Sequence, residues 1–167
     1  MYGRSMGTPE FIETLREKIG HEMLWLTGVT AVVIRDEGRG PEVLLVRRAD
    51  SGRITPVTGI IDPGEEPAIA AERETLEETG VSTEAEKLVW VHALPPMRYA
   101  NGDQVQFLDI LFRCRYLSGD ARPSDGENTE AFWASIEEAD RILEYDNDMR
   151  QRVRQAFHDE PQARFER

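Results

Sequence analysis

Four glutamates crowd the end of one predicted helix. In the stretch PGEEPAIAAERETLEETG, residues 63–80, the C-terminal half carries Glu72, Glu74, Glu77 and Glu78 against a single cation, Arg73. Acids near a helix C-terminus oppose the macrodipole, and acids three or four residues apart repel, at a few tenths of a kcal/mol (roughly 0.2–0.5) per pair. At about 100° per residue, Glu77 falls about 60° to one side of Glu74 and Glu78 about 40° to the other. The three carboxylates therefore share one face, bordered by the small residues Ala70 and Ala71. A divalent cation would turn this repulsion into a ligand set. All the donors are oxygen, which suits a hard ion, Mg²⁺ or Mn²⁺. An acidic face taken alone is ordinarily just solvated; a local rule broken at one place points instead to a functional site. Ile69 and Leu76, seven residues apart, point the other way and are expected to anchor the helix in the core.

The elements that must position this helix are legible around it. Thr8-Pro9 reads as a helix start with Thr8 as cap, Phe11, Ile12, Leu15 and Ile19 recur at helical spacing, and Gly20 closes the helix. VTAVVIRD and EVLLVRR read as strands joined through the turn residues EGRGP. SGRITPVTGIIDPGE reads mostly as loop with room for a short strand. The acidic helix runs from about Pro67 to Thr79, with Gly80 ending it. KLVWVHAL is a further strand, and Asn101-Gly102 marks a tight turn between two more. SGDARPSDGENTE reads as loop and AFWASI as a short strand. One or two helices close the chain, with Met149, Val153 and Phe157 as an apolar stripe and a frayed tail EPQARFER. The outcome is a single α/β domain with a mixed sheet: an N-terminal helix and approach over 1–27, the main domain over 28–158 and a tail over 159–167.

The totals limit what such a domain binds. With 167 residues the chain holds one real hydrophobic core. A net charge of −12 and the absence of a basic stripe argue against binding nucleic acid through its backbone or docking on an anionic membrane. An anionic substrate then needs a cation between it and the protein. Cys114 is the sole cysteine, so no intrachain disulfide and no cysteine-rich zinc site forms. No apolar run reaches the roughly 20 residues of a membrane-spanning helix, and MYGRSMGTPEF lacks a signal-peptide core, which makes the cytoplasm the default compartment.

From Gly59 onward the sequence GIIDPGEEPAIAAERETLEETGV resembles the Nudix box. Gly59, Glu65, Arg73, Glu74, Glu77, Glu78, Gly80 and Val81 fall on its fixed positions, and Thr75 replaces its bulky aliphatic residue. The resemblance implies the Nudix fold, an α/β/α sandwich with a mixed sheet and the box as loop-helix-loop. It implies hydrolysis of a nucleoside diphosphate linked to another group. Glu74 and Glu78 would ligate Mg²⁺, or Mn²⁺, with Glu77 a ligand or close beside it and the Gly59 carbonyl often joining them. Glu65 would sit one layer out, and Arg73 would orient the acids. The catalytic base would be a helix glutamate or a carboxylate of a later loop, for which Glu127 is the candidate and Glu130 its rival. At most one of the adjacent Arg47 and Arg48 can face the phosphates, since neighbours on a strand point to opposite faces.

Trp25, Tyr99, Phe132 and Trp133 are candidates to stack on a base, or equally to fill the core. In the family a proline some fifteen residues past the box goes with ADP-ribose and a tyrosine slightly later with dinucleoside polyphosphates; Pro96 and Tyr99 supply both marks. ITPVTG departs from the commoner approach to the box, with Ile54 for tryptophan and Val57-Thr58 for Pro-Gly. The expected substrate is a small nucleotide, ADP-ribose-like first, with a modified nucleoside triphosphate of the MutT type as the alternative and a non-catalytic nucleotide-binding module as the rival class. A homodimer through the N-terminal helix is compatible with the family.

Overall fold

The computed structural model describes residues 8–167. Most of the N-terminal stretch read for a signal peptide, residues 1–7, lies outside the described residues. Helix α1 (Glu10–Ile19) buries Ile12 against Leu26 and Val105, with Phe11 and Phe107 packed alongside. Thr8 does not cap it: Pro9 holds the N-cap position and no side chain accepts a bond there. Gly20 ends the helix at φ 61°, as expected. The Arg16 guanidinium then donates to the carbonyls of Gly20, Glu22 and Gln104, which ties the helix end to the sheet.

The sheet grows from two hairpin strands, β1 (Leu24–Asp36) and β2 (Pro41–Arg48), paired antiparallel at their turn ends. The loop after β2 contains two short strands, β3 (Ile54–Thr55) on β2 and β4 (Val57–Ile60) on β1. Beyond helix α2 (Pro67–Thr79) come β5 (Ser82–Ala93), β6 (Met97–Arg98), β7 (Gln104–Ser118) and β8 (Asn128–Ser135). Strand β7 lies parallel to β1 and antiparallel to β5, so the sheet is mixed. The Asn101-Gly102 turn joins β6 to β7 as expected, with Gly102 at φ 95°. Helices α3 (Ile136–Ile142) and α4 (Asn147–Ala156) follow, and a short β9 (Arg164–Phe165) ends the chain.

Side chains alternate across β1 and divide the core. Val29, Ala31 and Val33 face α2 with Ala70, Ala71 and Val81. Val32 and Ile34 face the opposite side, where Val153 of α4 meets Leu111 and Val89, with Met149 and Phe157 packed around them. The apolar stripe of α4 is thus as predicted. Helices cover both faces of a mixed sheet: an α/β/α sandwich.

Besides the Thr8 cap, three expectations fail here. Ile69 and Leu76 do not anchor α2; they are 54% and 53% exposed. The buried face is instead Ala70, Ala71, Thr75, Glu78 and Thr79, small or polar residues that let the helix lie close on the sheet. The tail does not simply fray: Arg164 pairs with Trp90 of β5 in parallel and lays its guanidinium 4.1 Å from the Trp90 ring centroid. The third is the length of β8, which begins at Asn128 inside the stretch read as loop.

Candidate active site

Helix α2 turns Glu78 and Glu74 toward the sheet, while Glu77 stays exposed. Pro67 sits in the first turn and Gly80 closes the helix in the left-handed region at φ 70°. Its last turn carries no basic residue. The carbonyls left over there accept instead from a loop that folds back: Arg122 N–H bonds Thr79 O and Ser124 N–H bonds Glu78 O. This clasp answers part of the conflict with the macrodipole and packs the loop around Arg122 and Ser124 against the end of the helix. Thr75, where the box pattern wants an aliphatic residue, is fully buried, and its hydroxyl donates to Ala71 O at 2.7 Å. The substitution therefore leaves no polar group unpaired.

Glu78 lies at the centre of the buried face, 1% exposed. One carboxylate oxygen, Oε2, accepts from Asn128 Nδ2 at 2.7 Å; the other, Oε1, is buried and has no hydrogen-bond partner. Burial pushes its pKa up to about 8, and the charges of Glu127 and Glu74 add to this against the Asn128 hydrogen bond. Glu74 is pushed up to about 7, again chiefly by burial, with the nearby Arg73 pulling the other way. Glu74 packs against the backbone of Gly59: a Cβ at Gly59 would overlap its carboxyl group. A side chain there would push the Glu74 carboxyl group out of its place.

Arg73 gathers the other acids. Its guanidinium bonds Glu65 through Nε at 2.7 Å and through Nη2 at 2.9 Å. It also reaches Glu74 at 2.9 Å, Glu77 at 3.1 Å and the carbonyl of Ile60 at 3.2 Å. The Arg73 hydrogen bonds hold Glu65 below the usual carboxylate range. Glu65 in turn accepts from the Asp62 N–H, fixing the loop before the helix.

Three further candidates border the site, Arg48, Glu127 and Tyr99. Burial is the largest influence on Arg48 and lowers its pKa, but the Asp50 hydrogen bond and the charges of Asp50, Glu78 and Glu127 outweigh it and raise the value overall. Arg48 therefore faces the carboxylates. Arg47 faces away, bonded to Gly52 O at 3.1 Å and to Glu130 at 3.1 Å. That contact also leaves Glu130 engaged on the other side of the strand. Glu127 sits where β8 begins, its carbonyl accepting from Ala49 N–H, and its carboxyl is raised by burial and by Asp125. Tyr99 projects from the β6–β7 turn; burial raises its phenol, and the charges of Arg48 and Asp50 act on it. Phe132 and Trp133 belong to the core, Trp133 meeting Tyr116 edge-on and Arg35 face-on, whereas Trp25 is 56% exposed.

Among the described residues no three acidic, histidine or cysteine side chains already stand in metal-binding geometry. Arg73 occupies Glu74 and Glu77, and Asn128 occupies half of Glu78. The donor set nonetheless fits a hard cation: a buried carboxylate oxygen without a partner, a second raised carboxylate, and a glycine that admits it. Asn128 was missed by sequence reasoning. Its signal is faint, since an asparagine at the end of a Gly/Asp-rich stretch reads as turn.

Residues 25–156 match the NUDIX domain family, and the chain belongs to it. That membership makes it a hydrolase of pyrophosphate bonds, in a family that generally uses a divalent metal ion. A MutT-like protein from Streptomyces ambofaciens is 32% identical over 117 residues, 70% of this chain and 68% of the relative. An NAD-capped RNA hydrolase from Chromobacterium violaceum is 33% identical over 104 residues, 59% of this chain but 35% of that protein. A NUDIX hydrolase from Nitrosomonas europaea superposes with a TM-score of 0.63 at 27% identity, over 79% of this chain and 88% of the other. No helix among the described residues is long and apolar enough to cross a membrane.

Proposed function

We propose that the protein is a Mg²⁺-dependent hydrolase of a small nucleotide in which a diphosphate joins a nucleoside to another group, ADP-ribose-like substrates foremost. The observation that carries this reading is the Glu78 carboxylate, buried with one oxygen held by Asn128 and the other without a partner. Burying a carboxylate in this way is costly unless a cation joins it. Glu78 and Glu74, the latter lying against Gly59, are the residues to hold the ion, and Glu77 is the next nearest once Arg73 lets it go. The bound ion supplies Lewis acidity toward a phosphoryl oxygen and a lowered pKa for a coordinated water.

The chain's own residues do the rest. Arg73 and Glu65 keep Glu74 pointed at Gly59. Arg48 stands ready to exchange Asp50 for a phosphate oxygen, for which a guanidinium is well shaped. Glu127, its carboxyl raised by burial and by the charge of Asp125, suits a general base. Tyr99 offers a ring at the mouth of the site. An NAD cap is itself a diphosphate joining two nucleosides, so the Chromobacterium relative favours this substrate class; the Streptomyces relative, MutT-like by name, favours nucleoside triphosphates as the second reading. A panel of nucleotides with Mg²⁺ and chromatographic product analysis tests the proposal. AMP plus ribose phosphate from ADP-ribose supports it, a nucleoside monophosphate plus pyrophosphate supports the second reading, and no turnover of either class refutes both.

A further inference from the structure

Strand β8 is irregular where it meets the site. Ala131 pairs with Val46 and Glu130 with Arg47, but Arg48 pairs with Asn128, so Thr129 is an extra residue in β8. Regular pairing would set Thr129 opposite Arg48, on the same face as Ala131 and Trp133, which pack toward α2. The bulge passes that place to Asn128 and turns Thr129 outward, its hydroxyl reaching Arg47 O at 3.4 Å. Bulges often re-aim one side chain beside a functional site.

The side chain so aimed is 4% exposed and meets Glu78. Its Nδ2 donates to Oε2 at 2.7 Å, while its own Oδ1 is buried without a partner, as is Glu78 Oε1. An amide N–H favours the carboxylate over the acid, and a single bond to one oxygen fixes the plane of the group while leaving the other oxygen free. We infer that Asn128 is the positioning residue for Glu78: it holds one oxygen so that the other is presented to the divalent cation. The inference rests on the function proposed above, in that it requires a cation at Glu78. Outer partners of metal-ligating carboxylates typically account for about 10–100-fold in metal affinity.

The test is Mn²⁺ affinity of the nucleotide-free protein, read from the electron paramagnetic resonance of the free ion, with thermal unfolding measured alongside. Asn128→Ala, and Asn128→Leu as a volume-preserving second variant, are compared in the native background and with Glu78→Gln. We expect about 10-fold or more loss of Mn²⁺ affinity in the native background and under about 2-fold in the Glu78→Gln background, since the coupling runs through Glu78. A merely structural role would lower the unfolding temperature equally in both backgrounds and leave Mn²⁺ affinity where it was; that result overturns the assignment of Asn128 and spares the proposed function. Wild-type protein that binds no Mn²⁺ at millimolar concentration overturns both.

Discussion

Glu78→Gln separates the two roles of a buried carboxylate, ligand and liability. Without metal, the Glu78 pKa of about 8 stands far above the usual glutamate value of about 4.5. The folded state therefore holds a proton that the unfolded state has released between those two pH values. Stability must then fall as pH rises through this window, since the native state binds more protons. Integrating over the window makes Glu78 unfavourable by about 1 kcal/mol at pH 5 and about 3 kcal/mol at pH 7. Glutamine cannot ionise, so it escapes this. Its carbonyl can accept from Asn128, but its amide N–H then faces the place where Oε1 has no partner, at about 1 kcal/mol or more. The metal-free variant should come out about 2 kcal/mol more stable at pH 7 and no more stable at pH 5. For a chain of this length that is a rise of roughly 4–8 °C in unfolding temperature. Circular dichroism melts in chelator at pH 5, 6, 7 and 8 read the difference directly. Added Mg²⁺ should stabilise the native protein and leave the variant unmoved, and turnover should drop by at least two orders of magnitude. A difference that does not grow with pH, or a variant less stable than the native protein at pH 7, would show that protein contacts already satisfy the carboxylate.

Other perturbations test neighbouring parts of the site. Gly59→Ala should cut kcat about 100-fold or more while moving the melting temperature by only a few degrees, because the new Cβ displaces the flexible Glu74 carboxyl and not the backbone; steady-state kinetics and a melt decide it. Arg48→Ala should raise KM about 10-fold or more with little change in metal affinity, whereas Arg47→Ala should leave KM within about 2-fold, since Arg47 points to Glu130. Arg73→Ala frees Glu65, Glu74 and Glu77 together and should weaken Mn²⁺ binding about 10-fold, measured by calorimetry.

The bounds of α2, Pro67 to Thr79, were legible from the sequence. What spacing could not give was the direction of its burial. Ile69 and Leu76 were expected inside because apolar residues usually are, yet the face that meets the sheet is built from Ala70, Ala71 and Thr75 around Glu78. The exchange is sensible once the site is known: small residues bring the helix near enough for Glu78 to reach β8, and larger ones would hold it off. Asn128 was illegible for a related reason. Its role depends on one extra residue in β8, and a bulge leaves no periodic trace in a single strand. The tail strand was missed because two residues of pairing, Arg164 and Phe165, carry too little pattern to detect.

A buried cation lies on the opposite side of the sheet from α2, and it poses the opposite question. Arg152 of α4 is 2% exposed and donates to Thr30 Oγ1 at 2.8 Å and Asp148 at 2.6 Å, with Asp109 at 3.4 Å. It fastens α4 across β1 and β7. Breaking a buried pair usually strands the remaining ion, at about 3–5 kcal/mol. Here the partners differ. Asp148 keeps water, its side chain 48% exposed, so it loses little. Asp109 is buried, and burial already drives its pKa up in spite of Arg152. Without the guanidinium it would rise further, toward the protonated form, with the Thr30 hydroxyl, donating at 2.9 Å, pulling the other way. The loss on Arg152→Met should therefore be smaller than for a stranded ion, about 2 kcal/mol near pH 5, and should grow toward pH 8 as the protonated state becomes harder to hold. Urea titrations across that range read the slope, and turnover per folded molecule should stay within about 2-fold because α4 contributes no ligand. A loss independent of pH would mean that Asp109 stays ionised in the folded protein with or without Arg152, and that the network holds a true ion pair.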